Sequence, residues 1–292
     1  MAKLISSPHK VPDQFLQFRR KFSNVLVQAL AWASVLGVGI VLMWILVTLV
    51  SRGWPGLLSL DLYRLSTGAP GSPSGLANAI IGSILITFVA ILLATPIGIL
   101  AGTWLAEYGK DSFFARKLRY ANDVMLSTPS IIIGLFVYSI AVATTRHFSA
   151  WAGSLALAII ALPVIVRVSE DMLRMVPNTI REAAAALGAA KWRVILTICY
   201  RAARQGLVTA ILLSFARISG ETAPLLFTTL GNQNWSLDFN APMAALPLVI
   251  YNFARSPFDD QIALAWSGAL LMTVFILGLN IVARLFAHRG GK

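Results

Sequence analysis

Six long apolar segments, separated by shorter polar ones, dominate the chain. They cover about residues 25–50, 78–106, 124–143, 150–168, 206–231 and 262–286. A helix needs about 20 predominantly apolar residues to cross a bilayer, and each segment provides close to that number or more. The pattern therefore predicts six membrane-spanning helices, with a kink at Pro96 in the second.

Composition supports an integral membrane protein and excludes several other classes. Of the 292 residues, 57% are hydrophobic and only 12% are charged, whereas soluble domains contain about 25% charged residues. A soluble protein of this length cannot cover so much apolar surface with so little polar surface. The single cysteine excludes a disulfide scaffold, and the first apolar segment is too long for a cleavable signal peptide.

The positive charges are concentrated in alternate connecting segments. Of the 24 Lys and Arg residues, 19 lie before the first apolar segment, at the end of the sixth, or in the second and fourth connections. By the positive-inside rule, these parts face the cytoplasm, so both termini are expected there. We therefore expect a cytoplasmic segment 1–24, a transmembrane domain 25–287 and a cytoplasmic tail 288–292. The net charge of +12 then indicates anchoring at a membrane surface rather than binding to nucleic acid.

Two connections on the opposite side are long but carry few charges. Residues 51–77 are rich in Gly, Pro and Ser, which predicts an irregular crossing. In the connection 232–261, residues 243–253 are compatible with either a short re-entrant piece or an interfacial one, and the sequence does not decide between them.

The connection 169–205 is the only sizeable polar segment, and its pattern predicts an exposed helix just below the membrane. Thr179 and Glu182 have the spacing of a capping box, in which each residue satisfies a free backbone N–H at a helix start. A run of alanines follows, which favours helix and leaves a small surface for close packing. Gly188 is expected to end or bend that helix. From these residues alone, a plain surface connector and a docking helix are equally compatible.

The same segment resembles a family motif. Glu182, Ala183 and Ala184, followed by Gly188, are similar to the EAA motif of binding-protein-dependent ABC importer permeases. The resemblance implies that this loop forms a coupling helix, which docks into a groove on a separate ATP-hydrolysing subunit. It also implies an all-α membrane fold with six transmembrane helices, the type I ABC importer permease (MetI-like) architecture.

A narrower resemblance covers most of the second half of the chain. The run Met-Leu-Arg-Met-Val-Pro-Asn at 172–178 and the run Ala-Arg-Ile-Ser-Gly-Glu-Thr-Ala-Pro-Leu-Leu-Phe-Thr at 216–228 resemble the A-type permease subunits of phosphate-specific (Pst) ABC importers. That family implies a bacterial inner-membrane location and a homologous C-type permease as partner. It also implies a homodimeric ABC ATPase that binds ATP and Mg, and a periplasmic phosphate-binding protein that delivers phosphate.

Charged residues within the apolar segments are the candidate substrate pathway. Arg217 lies about a dozen residues into the fifth segment, and Glu221 is expected one turn further on the same helix face. An internal ion pair that only packs helices and a polar pathway through the bundle are both compatible, although intramembrane charges usually mark a pathway. Arg167 ends the fourth segment, where a snorkelling cytoplasmic anchor is the simple interpretation. The Pst resemblance implies instead that Arg167 and Arg217 take part in phosphate passage, with Glu221 as the carboxylate partner.

Several kinds of chemistry are not expected in this chain. It contains no GxxxxGK[ST] segment, so ATP and Mg are expected on the partner ATPase and no cofactor in this chain. Its three histidines are scattered without metal-ligand spacing, and no catalytic constellation is visible, so an enzyme is a poor interpretation.

The sequence therefore predicts a permease subunit of an ABC importer that moves inorganic phosphate, driven by ATP hydrolysis on a separate subunit. Three alternatives stay open. The first is a permease of the same architecture for another oxyanion, such as sulfate or molybdate. The second is a self-sufficient secondary transporter or channel, and the third is a purely structural membrane subunit.

Overall fold

The computed structural model of the protein describes residues 14–288, and this part of the chain consists of helices and connections without a β-strand. The α-helices are α1 Gln14–Leu57, α2 Asp61–Arg64, α3 Ala77–Thr103, α4 Phe113–Ser127, α5 Ser130–Val137, α6 Ala143–Thr145, α7 Ala150–Arg174, α8 Asn178–Ala186, α9 Lys191–Val194, α10 Tyr200–Ser219, α11 Ala223–Thr228, α12 Leu246–Ala254 and α13 Asp259–His288. Wider π-helical turns at Trp104–Gly109, Tyr138–Val142 and Ile195–Cys199 extend α3, join α5 to α6, and join α9 to α10.

Within these residues, five continuous helical stretches are long and apolar enough to cross a membrane, and a bent pair brings the number to six if it counts as one span. The five are Gln17–Leu57, Ala77–Gly109, Ala150–Arg174, Lys191–Ser219 and Asp259–Phe286. The predicted all-α membrane fold is confirmed. By compactness the chain divides into residues 1–51 and 52–292. The described part of the first unit is a single apolar helix, and the second contains all the other elements.

The third predicted span, 124–143, is not one straight helix. Phe113–Ser127 and Ser130–Thr145 meet at 102°, with the break at Thr128 and Pro129. Both residues have extended backbones, with ψ of 129° and 133°. Proline cannot donate a backbone hydrogen bond and disfavours helical geometry in the residue before it, so the helix stops there and a new one begins.

The predicted fifth span, 206–231, also has the wrong bounds. Its helix starts earlier, at Lys191, and ends at Ser219, whereas Ala223–Thr228 forms a separate short helix. Gly220 ends α10, and Pro224 lies in the first turn of α11, where its missing N–H costs nothing. Apolar composition continued across this break, which is why the sequence pattern did not reveal it.

The core of the second unit is the long contact between α3 and α7. Gly98 faces Ile165 and Gly102 faces Ser169 so closely that a Cβ atom on either glycine would lie 2.7 Å from the neighbouring side chain. Because helices in lipid gain little from burying apolar surface, small residues that permit close van der Waals contact stabilise such pairs. Pro96 lies inside the unbroken helix α3, and its predicted kink stays a prediction.

A buried side-chain amide joins the two long connections 51–77 and 232–261. Asn78, 4% exposed, donates to Thr67 Oγ1 at 2.9 Å and to the Gln233 carbonyl at 3.0 Å, and its own oxygen accepts from the Thr67 N–H. Residues 243–253, whose form the sequence left open, contain most of helix α12. This helix has only nine residues, too few to cross a bilayer, and its Leu248 is fully buried.

A cavity between two helix breaks and a charged connecting segment

A small cavity of about 110 Å³ lies where the α4–α5 break, the middle of α7 and the end of α10 meet. Two of the predicted pathway residues, Arg217 and Glu221, line it. We call it the Arg217 cavity. Its other lining residues are Met125, Thr128, Ser130, Ile133 and Ile160.

The two helix breaks meet because α5 and α11 pack closely. A Cβ atom on Gly134 would lie 2.7 Å from the Cα atom of Pro224, so only glycine permits this approach. The N-terminal turn of α5, with Ser130 at its first position, therefore borders the same space as Arg217. Sequence reasoning predicted neither break and so could not bring Ser130 and Thr128 to this site.

An internal ion pair between Arg217 and Glu221, one of the two interpretations that the sequence left open, is not formed in the described structure. A spacing of four residues brings side chains together only on a continuous helix, and α10 ends at Ser219, before Glu221 is reached. Neither side chain has an ion pair or hydrogen bond within residues 17–286. Arg217 is an exposed residue, whereas Glu221 is half-buried.

The level of the cavity along the bundle follows from Ile160. This residue is the eleventh of the 25 in α7, about 15 Å from the start of that helix. Arg217 therefore faces the middle of an apolar span, although it lies in the last turn of its own helix.

Arg167 stands apart from the other two predicted pathway residues. It lies inside α7, which continues to Arg174, and not at the end of a span as predicted. Its side chain, 47% exposed, contacts Asp123 at 3.7 Å and Asp171 at 3.4 Å. Seven residues separate it from Ile160, so it lies on the same face of α7, about 10 Å further along.

The predicted helix in the segment 169–205 exists, but the predicted capping box is wrong. Helix α8 begins at Asn178, one residue before Thr179, with Pro177 as its N-cap and no side-chain cap. Thr179, Glu182 and Ala183 are exposed, whereas Ala184 is 8% exposed and packs inward.

Gly188 ends α8 rather than bending it, and the sequence had allowed either. It takes a left-handed conformation with φ of +78°, which favours glycine. Its N–H bonds the Ala185 carbonyl at 2.9 Å, and the Ala189 N–H bonds the Ala184 carbonyl at 3.1 Å. This is the Schellman arrangement, which satisfies carbonyls left free at a helix end.

A buried carboxylate beside α8 was missed by sequence reasoning. Glu107, 5% exposed, lies in the π-helical turn after α3, and Arg181 donates to its Oε1 at 2.7 Å and 3.2 Å. Partial burial of the guanidinium opposes its charge, but the hydrogen bond and charge of Glu107 outweigh this, so the pKa of Arg181 lies above its ordinary value. The signal was an acidic residue at the end of an apolar run, which was read as the end of a span.

A second buried carboxylate, Glu170, lies near the end of α7. It is 2% exposed and accepts from Arg119 of α4 at 2.7 Å and from Arg174 at 2.9 Å. Within residues 14–288, no group of three or more His, Cys, Asp or Glu side chains is placed to hold a metal ion.

Comparison with known proteins agrees with this architecture. Residues 94–291 match the family model described as binding-protein-dependent transport system inner membrane component. The phosphate transport system permease protein PstA of Pasteurella multocida (strain Pm70) is 57% identical over 273 residues, which cover 94% of this chain and 97% of that protein. The PstA protein of Haemophilus influenzae is 56% identical, with the same two coverages. PstA 1 of Mycobacterium tuberculosis (strain ATCC 25618 / H37Rv) is 35% identical, and the match covers 92% of this chain and 89% of that protein.

Solved structures show the same fold at low sequence identity. An inward-facing MetNI methionine ABC transporter matches with a TM-score of 0.61 at 17% identity, covering 73% of this chain and 95% of that one. An amino acid ABC transporter solved with histidines matches with a TM-score of 0.51 at 18% identity, covering 73% and 92%. This multi-pass chain therefore belongs to the binding-protein-dependent transport system inner membrane components, the permease subunits of ABC transporters, and within them to the PstA phosphate transport system permease proteins.

Proposed function

We propose that this chain is the A-type permease subunit of a phosphate-specific ABC importer, and that inorganic phosphate crosses the membrane through the Arg217 cavity. One observation carries the assignment of the site. Arg217 faces the middle of an apolar span, and within the described residues no protein group neutralises its charge. Because an unneutralised charge at that level costs at least about 2.5–3.5 kcal/mol, its retention favours a function in anion passage.

The chemistry around Arg217 fits an oxyanion. A guanidinium offers five N–H donors in a planar fork and does not titrate near neutral pH. Ser130 adds a hydroxyl at the start of α5, where the helix dipole favours negative charge, and Thr128 adds a second hydroxyl. Interrupted helices whose N-terminal ends face an anion are a recurring arrangement in membrane transporters.

Glu221 favours phosphate over other oxyanions at the same site. Its carboxylate is an acceptor only, and hydrogen phosphate keeps a proton at neutral pH that it can donate. Sulfate and molybdate carry no such proton there, so the carboxylate would repel them. Glu221 also keeps binding weak, which conduction requires because the ion must leave the site again.

Arg167 is proposed as the next position on the path. It lies about two turns further along the same face of α7, towards the end of the bundle that carries α8. There Asp123 and Asp171 already bind its guanidinium, so an arriving phosphate competes with two carboxylates and is released readily. Phosphate would thus pass first Arg217, which has no counter-ion, and then Arg167, which already has two.

The partners and the energy source follow from the family. We propose a homologous C-type permease beside this chain, a homodimeric ATPase that binds ATP and Mg, and a periplasmic phosphate-binding protein on the outer face. No ATP is proposed to bind to this chain. Both termini, segment 1–24 and tail 288–292, are proposed to lie in the cytoplasm; residues 1–13 and 289–292 lie outside the described part of the chain.

Helix α8 is the proposed contact with the ATPase. Its polar face exposes Thr179 and Glu182, and apolar Leu187 at its end is 90% exposed. Ala183, Ala185 and Ala186 are exposed beside it, so this end of α8 presents adjoining apolar side chains to a partner. ATP would close the ATPase dimer and displace α8 as a rigid body, opening the bundle outward, and phosphate would pass on return.

The test is phosphate uptake by the complete four-component complex in liposomes. Arg217→Ala should reduce uptake at least about tenfold, the loss expected for one charge-assisted hydrogen bond, while the ATPase still co-purifies. Arg255→Ala is the matched control and should transport normally. Arg255 is exposed, lies outside the cavity and donates a hydrogen bond to Tyr251. Normal uptake by Arg217→Ala would leave only a structural role for this chain.

Two further measurements separate the remaining alternatives. Stimulation of ATP hydrolysis by phosphate, sulfate and molybdate in turn identifies the oxyanion. Uptake by the purified chain alone in liposomes would establish a secondary transporter, which the ABC interpretation forbids.

A further inference from the structure

The turn that follows α3 gathers cations from several elements. This turn comprises residues 104–110 and is called the 104–110 turn below. The Glu107 carboxylate accepts from Arg181, and the Glu107 backbone carbonyl accepts from Lys191 Nζ at 2.6 Å. Arg119 of α4 donates to the Lys110 carbonyl at 2.7 Å and to the Leu105 carbonyl at 3.2 Å. Side chains from three different segments of the chain thus bind this one short turn, two of them through its backbone carbonyls.

Two of those cations lie on either side of α8's alanine run. Arg181 directly precedes Glu182, and Lys191 follows Gly188 by three residues. Both bonds end on Glu107, one on its carboxylate and one on its carbonyl. Both ends of the segment that carries α8 are therefore attached to the same residue at the end of α3.

Arg181 also joins this turn to α7. Its guanidinium donates to the Leu173 carbonyl at 2.7 Å, to the Val176 carbonyl, and to Asn178 Oδ1 at 3.3 Å. Leu173 belongs to the last turn of α7 and is fully buried. A single side chain thus connects the ends of α3 and α7, the two helices that form the core contact of the unit, with the start of α8.

We propose that Glu107 and Arg181 are positioning residues that transmit the displacement of α8 to α3 and α7, and hence to the Arg217 cavity. The inference rests on the proposed function, since it assumes that an ATPase displaces α8. A buried, desolvated ion pair resists separation because either charge alone would be left without a partner. The wide π-helical turn is itself a feature frequent at functional positions in helices. When α8 moves, Glu107 and the ends of α3 and α7 therefore move with it.

Glu170 offers a matched control for this assignment. It is as buried as Glu107 and also binds arginine at 2.7 Å, but its partners Arg119 and Arg174 lie on α4 and α7 rather than on the α8 segment. Loss of its charge removes a buried ion pair of the same kind. It frees Arg119, which also donates to the 104–110 turn, but it leaves both bonds between the α8 segment and Glu107 in place.

The experiment compares Glu107→Gln with Glu170→Gln in the complete complex in liposomes. Phosphate uptake and ATP hydrolysis are measured together, and their ratio reports coupling. Glu107→Gln should lower the ratio at least about fivefold, the lower end of usual coupling energies between sites, with co-purification of the ATPase unchanged. Glu170→Gln should leave the ratio within about twofold of the parent complex, although both variants lose thermal stability.

Lys191→Met provides a second variant if Glu107→Gln fails to assemble. It keeps the aliphatic stem but loses the bond to the Glu107 carbonyl, and an intermediate fall in the ratio is expected. The proposal is wrong if assembled Glu107→Gln and Lys191→Met complexes couple normally, or if Glu170→Gln uncouples as strongly. If instead the proposed substrate is wrong, the parent complex itself would respond to sulfate or molybdate but not to phosphate. The same variants would then be compared with that ion.

Discussion

Two arginine–glutamate combinations in this protein illustrate opposite uses of the same residue types. Arg181 and Glu107 are 74 positions apart in sequence and are bonded at 2.7 Å in a buried contact. Arg217 and Glu221 are four positions apart, yet in the described residues neither has an ion-pair partner, and both border a cavity. A guanidinium whose donors are occupied by protein groups holds elements together. One whose donors are free is available to a ligand.

The largest expected difference between the two regions is in folding stability. Arg181→Gln leaves Glu107 buried without a counter-charge, so the free energy of unfolding should fall by about 3–5 kcal/mol. Arg217→Gln removes no protein contact and takes away an unneutralised charge inside an apolar span, so the free energy of unfolding should not fall. Thermal unfolding of the detergent-purified chain measures both. Equal losses would mean that Arg217 has a structural role as well.

Glu221→Gln should alter selectivity more than stability. The amide carries no charge and offers a donor, so sulfate should gain affinity by about 1.5–3 kcal/mol, the value of one charged hydrogen bond. Competition of sulfate with phosphate uptake measures this change. Glu170→Gln, remote from the cavity, is the control, and unchanged selectivity in Glu221→Gln would remove the carboxylate from the proposed recognition.

Gly134→Ala tests whether the two helix breaks must lie close together. The added Cβ atom would meet Pro224 at 2.7 Å and should cost about 1–3 kcal/mol through overpacking. Because the contact borders the Arg217 cavity, uptake should fall together with thermal stability. Gly37→Ala, at a helical glycine with open space around its Cβ position, is the matched control and should lower neither. If Gly134→Ala lowers thermal stability but phosphate uptake stays normal, the close approach of α5 to α11 is not required for transport.

The smallest effect is expected at Arg167. Its two ion pairs are about half exposed, and such pairs contribute at most about 1 kcal/mol each. Arg167→Gln should therefore leave stability nearly unchanged and slow uptake by a smaller factor than Arg217→Ala. Uptake rates of the two variants decide the order, and a greater loss in Arg167→Gln would place the main barrier at that position instead.

Much of the membrane architecture was predictable because apolar length responds to a local requirement. Any stretch of about 20 apolar residues must become a helix in lipid, whatever its neighbours are. The fold class was predicted correctly for this reason. The exposed helix at Glu182 was predicted from its alanine run, and the helix end at Gly188, one of two alternatives, from the glycine itself. The bounds were less accurate where composition stayed apolar through a break, as at Gly220.

The candidate site was predictable in its residues but not in its arrangement. Arg217 and Glu221 stood out because charges are rare in apolar segments, and the structure brings both to one cavity. A mutual ion pair, one of the two interpretations left open, would need a continuous helix, which Gly220 and Pro224 interrupt. Similarly, the capping box at Thr179 was wrong because Pro177 starts the helix earlier.

The sequence by itself determined that this is a basic, helical membrane protein with its positive charges in alternate connections and a rare pair of charged residues within an apolar segment. Those properties depend on composition and on spacing within single segments. Only the tertiary structure decided which charges meet. It placed Glu107 beside Arg181 and Lys191, and the α4–α5 break beside Arg217. Such contacts join residues far apart in the chain, and they form only after close helix packing brings the ends of different spans together.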